Sequence, residues 1–148
     1  MIHGLSFGML KPDCLIRQLE AEAFRRITLS GLQILLQKRL RLTQEDIDVL
    51  YSNLRGREFY EDMSYFLKSS DSLVFVVKGE VEDVVKLLNR TTGFTDPKNA
   101  RTGTLRELGL DVRRNVAHSS ADIEEVVKSV RHFFSSEELD NCITKCAL

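Results

Sequence analysis

Apolar positions along this chain switch between tight runs and repeats of three to four residues, and the switches predict its elements. The run at 5–10, Leu-Ser-Phe-Gly-Met-Leu, reads as a short strand ended by Pro12. Leu19, Ala23 and Ile27 recur every four residues, which predicts a helix over 15–30 with Gly31 as its C-cap. Residues 32–42 read as a strand, apolar at first and then alternating through Lys38, Arg39, Leu40, Arg41 and Leu42. Thr43 with Asp46 resembles a capping box and opens a helix to about residue 54. A further helix is expected over about 58–68, and Leu-Val-Phe-Val-Val-Lys at 73–78 reads as a buried strand. Val81, Val84, Val85 and Leu88 mark a helix that stops near Gly93. Residues 91–114 are polar and aperiodic, and a loop of that length inside a domain is usually functional. A last strand is expected over 112–117. Ser119 or Ser120 then caps an amphipathic helix with Ile123, Val126, Val127, Val130 and Phe133 inward. Ser135-Ser136-Glu137-Glu138-Leu139 caps a short final helix.

The order is β-α-β-α-α-β-α-loop-β-α. Helices separate the strands, so neighbouring strands need not be hairpins. The expected fold class is α/β (α+β): a ferredoxin-like split β-α-β arrangement, with a four-stranded antiparallel sheet covered by helices on one face. No repeat, low-complexity tract or Gly/Ser/Pro linker interrupts it, so residues 1–148 are read as a single domain.

Composition narrows the function. The chain has 148 residues, 43% hydrophobic and 29% charged, which excludes a disordered chain. A net charge of −1 gives no support to a nucleic-acid-coating protein. An RNA-binding sheet needs stacking aromatics on its strands, and aromatics are only 7% here. Lys38, Arg39 and Arg41 therefore read as a solvated or interface strand face. No apolar run approaches a membrane span, and the first residues lack the basic region of a signal peptide. Cys14, Cys142 and Cys146 are scattered and odd in number, which predicts reduced thiols and a cytoplasmic setting. Cys142 and Cys146 would share a helix face, but two thiols without His partners do not make a zinc site, and no metal-ligating residues are assigned. His3 and His132 read as structural or surface residues.

The polar residues at strand ends and in the long loop are the candidates for chemistry. Lys11-Pro12-Asp13 follows the first strand, and Tyr51 precedes Arg57-Glu58-Phe59-Tyr60. Gly93-Phe94-Thr95-Asp96-Pro97 leads to Gly103-Thr104-Leu105-Arg106, and then comes Arg114-Asn115-Val116-Ala117-His118-Ser119-Ser120. Each motif is weak alone, but together and in this order they resemble the nucleoside diphosphate kinases over nearly the whole chain.

The resemblance implies a ping-pong transfer of the γ-phosphoryl of a nucleoside triphosphate to a nucleoside diphosphate, with His118 as the nucleophile. Lys11, Arg106 and Thr95 would hold the phosphates, with Arg57 and Arg114 near the same chain. Tyr51 would sit near the histidine. Asn115, with Lys11, would bind the ribose 3′ hydroxyl. Phe59 would stack on the base, with Met63 and Val112 completing an apolar slot that tolerates every base because each has a π-face. Mg²⁺ would arrive with the phosphates and take few protein ligands. A dimer-based homo-oligomer, hexamer or tetramer, is implied, with no nucleic-acid or membrane partner.

The chain also departs from that pattern. Asn89 stands where the family has a phosphate-binding arginine, with Arg90 beside it, and Ser129 stands where a glutamate orients the imidazole. Ala121 replaces an aspartate that helps the metal, Ser119 a glycine and Thr102 a proline, and about two extra residues lie near Glu80 to Asp83. Ser120 closes the histidine motif. Two readings follow: an active kinase, or a divergent, weakly active or inactive nucleotide-binding or scaffold member of the family.

Overall fold

β1 (Leu5–Leu10) carries no charged residue and accordingly lies inside the sheet, buried on both faces. The computed structural model describes residues 4–147, with side chains through Cys142. After β1 come α1 (Pro12–Ile16), α2 (Glu20–Leu29), β2 (Gln33–Leu40) and α3 (Gln44–Leu50). A 3-10 turn at Ser52–Leu54 leads to α4 (Tyr60–Lys68), β3 (Ser72–Lys78) and α5 (Val84–Thr92). The long loop holds two more 3-10 turns, Pro97–Asn99 and Leu105–Leu108, before β4 (Ala117–Ser119), α6 (Ile123–Phe133) and α7 (Ser136–Ala147). The strands form one antiparallel sheet in the order β2-β3-β1-β4.

Helices cover both faces of the sheet rather than the one expected. Alternation explains it. Phe7 and Met9 of β1 and Val74 and Val76 of β3 point to one side, against Ile47 of α3, Leu67 of α4, and Val126 and Phe133 of α6. Leu10 and its neighbours Leu73, Phe75 and Val77 point to the other, against Ala23 and Ile27 of α2 and Leu88 of α5. Strands apolar on both faces need two covering layers. Gly8, on β1, leaves room for the Phe75 ring, which a Cβ there would strike. Overpacking of this kind costs about 1–3 kcal/mol. Gly8→Ala is therefore expected to lower the thermal midpoint by ~3–10 °C, read by far-UV circular dichroism.

Several boundaries differ from the sequence reading. The helix expected over 15–30 is two helices: α1 begins at Pro12, and the chain turns at 17–19 with Gln18 in the left-handed region at φ 57°. The helix expected to run to about 54 ends at Leu50 and continues only as a 3-10 turn. α5 starts at Val84, capped by Asp83, which leaves Val81 half exposed. Residues 112–114 belong to a turn and not to a strand. The Asp111 carboxylate accepts from the backbone N–H groups of Arg113 and Arg114 at 3.1 and 2.7 Å, and β4 covers only Ala117–Ser119. Asp122, not Ser119 or Ser120, caps α6 through the N–H of Glu125, so Ile123 opens the helix 45% exposed.

The Thr43–Asp46 capping box forms as expected, and Ser135 and Glu138 make a reciprocal cap on α7. His132 joins α6 to α3 through Asp46 at 2.7 Å. The basic face of β2 is tied locally, Lys38 to the Phe133 carbonyl and Arg39 to Asp71. Cys14 is a buried cysteine outside any disulfide, and the Cys142 thiol donates to the Leu35 carbonyl at 2.8 Å; the Cys146 side chain and His3 lie outside the described residues. No helix among the described residues is long and apolar enough to cross a membrane.

Candidate active site

The end of β1 and the start of β4 meet where the site forms. Lys11, just past β1, donates its backbone N–H to the Val116 carbonyl at 2.8 Å. Asp13, in the first turn of α1, accepts the Val116 N–H at 3.0 Å. These bonds hold Val116 at φ 78°, an outlier for a β-branched residue. The backbone before His118 is thus forced into its course by contacts more than a hundred residues away in sequence.

His118 pairs with Met9 in the β1–β4 ladder, so its side chain leaves the sheet on the face covered by α3, α4 and α6. There it lies against Tyr51, ring centroids 4.5 Å apart. Burial, then the charges of Arg106 and Lys11, push the imidazole down to about 3, so the ring is neutral at pH 7. No described residue hydrogen-bonds this ring. Burial also raises the Tyr51 phenol above its ordinary value.

A cleft of about 480 Å³ opens beside His118. Seven residues expected in the site line it together: Lys11, Tyr51, Phe59, Thr95, Arg106, Asn115 and His118, with Met63 and Val112 among the apolar wall. Lys11 is 5% exposed and donates Nζ to the Arg113 carbonyl at 2.6 Å and to Asn115 Oδ1 at 2.9 Å. Burial lowers its ammonium to about 8. Asn115 Nδ2 donates to the carbonyls of Thr95 and Val112, so this one side chain links the lysine to both sides of the long loop. Arg106 donates to the Gly93 carbonyl at 3.0 Å and the Ala117 carbonyl at 2.9 Å, while its buried Nε has no partner among the described residues. Burial lowers the pKa of the Arg106 guanidinium. Phe59 and Val112 are 48% and 60% exposed at the cleft mouth.

Other expected residues lie elsewhere. Arg90 is exposed and does not line the cleft, and Arg57 is likewise exposed outside it. Arg114 is held by Asp111 at 2.6 Å, and its neighbour Arg113 lines the cleft instead. Asn89, on the other side of β4, accepts from Ser119 Oγ at 2.6 Å. Ser120 and Ser129 are buried, and the Ser120 hydroxyl has no partner among the described residues. Sequence reasoning did not pick out Arg113, Asn53 or Glu125 as lining residues. No motif marks them, and only the turn at Asp111 and the cap of α6 bring the first and last of them inward.

The profile of the nucleoside diphosphate kinase family matches residues 5–139. The nucleoside diphosphate kinase of Saccharolobus solfataricus is 32% identical over 140 residues, 94% of this chain and 100% of its own length. That of Kosmotoga olearia is 32% identical over 135 residues, 90% of each chain. Among solved structures, the apo enzyme from Encephalitozoon cuniculi superposes with a TM-score of 0.85 at 27% identity, covering 90% of both chains. The Aquifex aeolicus enzyme gives 0.83 at 27% identity, covering 90% of this chain and 96% of its own. A two-sided antiparallel sheet with a histidine in the middle of its last strand, together with these matches over nearly its full length, makes this chain a member of the nucleoside diphosphate kinase family of enzymes.

Proposed function

We propose that the protein moves the γ-phosphoryl group of a nucleoside triphosphate to a nucleoside diphosphate through a phosphohistidine at His118. The observation that carries this is a neutral, partly exposed imidazole at one end of a cleft whose walls supply Lys11 and Arg106. A ring nitrogen attacks the γ-phosphorus while the bond to the β,γ-bridging oxygen breaks. The diphosphate leaves with that electron pair. In the second half the terminal oxygen of an incoming diphosphate attacks the phosphohistidine phosphorus and the imidazole departs neutral. Lys11, Arg106 and Thr95 receive the phosphates, and the second lone pair of Asn115 Oδ1 is open to the ribose hydroxyl beside Lys11. Phe59, Met63 and Val112 take the base. The test is incubation with γ-labelled ATP and Mg²⁺. An acid-labile, alkali-stable label that GDP removes supports the reading; no label at high enzyme concentration overturns it.

Among the described residues no group of three or more His, Cys, Asp or Glu is placed to hold a metal ion. The cleft is lined by one carboxylate, Glu125, and the Asn53 amide. Such a set fits an ion that keeps several waters and takes its other ligands from phosphate oxygens, as Mg²⁺ does. Bound with the nucleotide, the ion neutralises phosphate charge.

Lys11 gives the reading a pH signature. Its pKa of about 8 in the free protein rises when a phosphate arrives, so nucleotide binding takes up protons near pH 8. Calorimetry in buffers of different ionisation enthalpy is expected to show that uptake, and affinity is expected to fall as pH climbs above 8.

A slower, binding-dominated protein is the second reading. It is favoured by the absence of any described partner on the His118 ring and by a neutral amide at Asn89. Ser129→Glu with Asn89→Arg is then expected to raise turnover by ~10–100-fold, the size of effect such supporting contacts have in metal sites. Wild-type turnover at ordinary kinase rates, unchanged by the pair, would remove this reading. We further infer one domain over residues 1–148, a cytoplasmic setting and a homo-oligomer. Exposed Ile16 and Leu29, at 66% and 71%, offer apolar surface to another subunit. Light scattering at micromolar concentration tests the assembly.

A further inference from the structure

Glu125 has no place in the motifs that carry the resemblance, yet it is the only acid among the residues lining the cleft. The other charged residues there are Lys11, Arg106 and Arg113, all cationic. Its position is fixed at the start of α6. Its N–H is held by Asp122 Oδ1 at 2.9 Å, and its own Oε2 accepts from the Ala121 N–H at 3.0 Å. Ala121 lies just past β4 and lines the same cleft, so the carboxylate stands at the His118 end and not at the Phe59 end. Only one of its oxygens is engaged, and no cation among the described residues pairs with it; Lys128, on the same helix, donates to Ser52 instead.

We propose that Glu125 makes nucleotide binding depend on a divalent cation, discriminating against metal-free nucleotide. The inference rests on the nucleotide-binding reading above. A nucleotide whose terminal phosphate reaches His118 brings its negative charge towards a fixed carboxylate in a partly water-excluded cleft. Like charges there oppose binding, and a hydrated divalent ion on the phosphates turns the same carboxylate into an attractive group. The three cations alone would favour any polyphosphate. The carboxylate sets the preference for the cation-bound form.

The test compares β,γ-methylene ATP binding by calorimetry in EDTA and in Mg²⁺. In the wild type the dissociation constant in EDTA is expected to exceed that in Mg²⁺ by ~10-fold or more, the scale of one unit charge at close range in a polar cleft. Glu125→Gln keeps an acceptor for the Ala121 N–H and removes the charge, so the ratio is expected to fall below ~3-fold on the same scale. Glu124→Gln, at an exposed position outside the cleft, is expected to keep the wild-type ratio. In wild-type protein, the Mn²⁺ complex of the same nucleotide is expected to broaden the Glu125 side-chain resonances more than those of Glu124, which needs no variant to fold. Equal ratios in wild type and Glu125→Gln, or equal broadening at both glutamates, overturn the proposal and leave nucleotide binding standing. No binding in either medium overturns the nucleotide reading together with it.

Discussion

His118→Gln is expected to abolish the phosphoenzyme and lower turnover by ~10⁴-fold or more, because His118 is the only histidine among the described residues lining the cleft and the proposed two-step transfer runs through it. The measurement is labelling by γ-labelled ATP, followed by acid and alkali treatment to identify the phosphoramidate. Retained acid-labile label in the variant would place the nucleophile elsewhere. The pH dependence carries a second signature of the same residue. An ordinary imidazole, near 6.5, is mostly protonated at pH 5; His118, pushed down to about 3, stays neutral there. Labelling rates between pH 7 and 5 are therefore expected to show no loss attributable to protonation of the free ring. Stability moves the other way. The unfolded chain takes up a proton on His118 as pH falls below 6.5, while the folded ring does so only near 3. His118 thus contributes a loss of stability as pH descends through that window.

Arg106→Ala is expected to produce the next largest loss, and of two kinds. Its guanidinium holds the Gly93 carbonyl, at the C-terminal end of α5, and the Ala117 carbonyl, next to His118. Losing it leaves two carbonyls without their donor, at ~1–3 kcal/mol for each that stays buried. It also removes a cation from the cleft where the proposed nucleotide phosphates would lie. A charge-assisted contact of this sort contributes ~10–100-fold to nucleotide affinity, and more to turnover if it strengthens as charge develops on the transferred group. Thermal melting separates the first effect from the second, which is read by calorimetry on folded variant at low temperature. Arg106→Lys keeps the charge but cannot span both carbonyls, so it is expected to recover part of the affinity and little of the stability. Full recovery of both by lysine would contradict the bridging role.

The strands were legible where the chemistry is unambiguous. Val74, Val76 and their neighbours form an apolar run too short for a helix and too continuous for a one-sided sheet. That second property already implied helices on both faces, and the expectation of one covered face overlooked it. The Thr43 capping box was legible because its two residues satisfy each other locally. The break at Gln18 and the kink at Val116 were not. Neither position carries a glycine or proline: Gln18 is held by local bonds at the end of α1, its own N–H to the Leu15 carbonyl at 3.0 Å and that of Leu19 to the Cys14 carbonyl at 2.9 Å, and Val116 by the distant Asp13 carboxylate. The residues of the cleft could be gathered by motif resemblance, but not the company they keep. Arg113 takes the place expected of Arg114 because Asp111 claims Arg114, a choice between adjacent residues that only the turn makes. Asp122 as the cap of α6 was readable, since Glu125 follows it at capping-box spacing; the nearby serines obscured it.

The pairing of β1 with β4 also bears on how the protein folds. Lys11 and Asn115 are 104 residues apart, and Asp13 and Val116 are 103 apart. Sheet contacts of that span are slow to form, because a long loop must close before they are rewarded. During synthesis, everything up to β3 can emerge and collapse while the cleft does not yet exist. The last short strand completes the sheet, and the start of α6 just after it supplies Ala121 and Glu125 to the cleft. A nucleotide at about a hundred times its dissociation constant would add ~2.7 kcal/mol to the finished chain and nothing to one stalled before that step. A bound nucleotide thus favours the completed chain over any incomplete one.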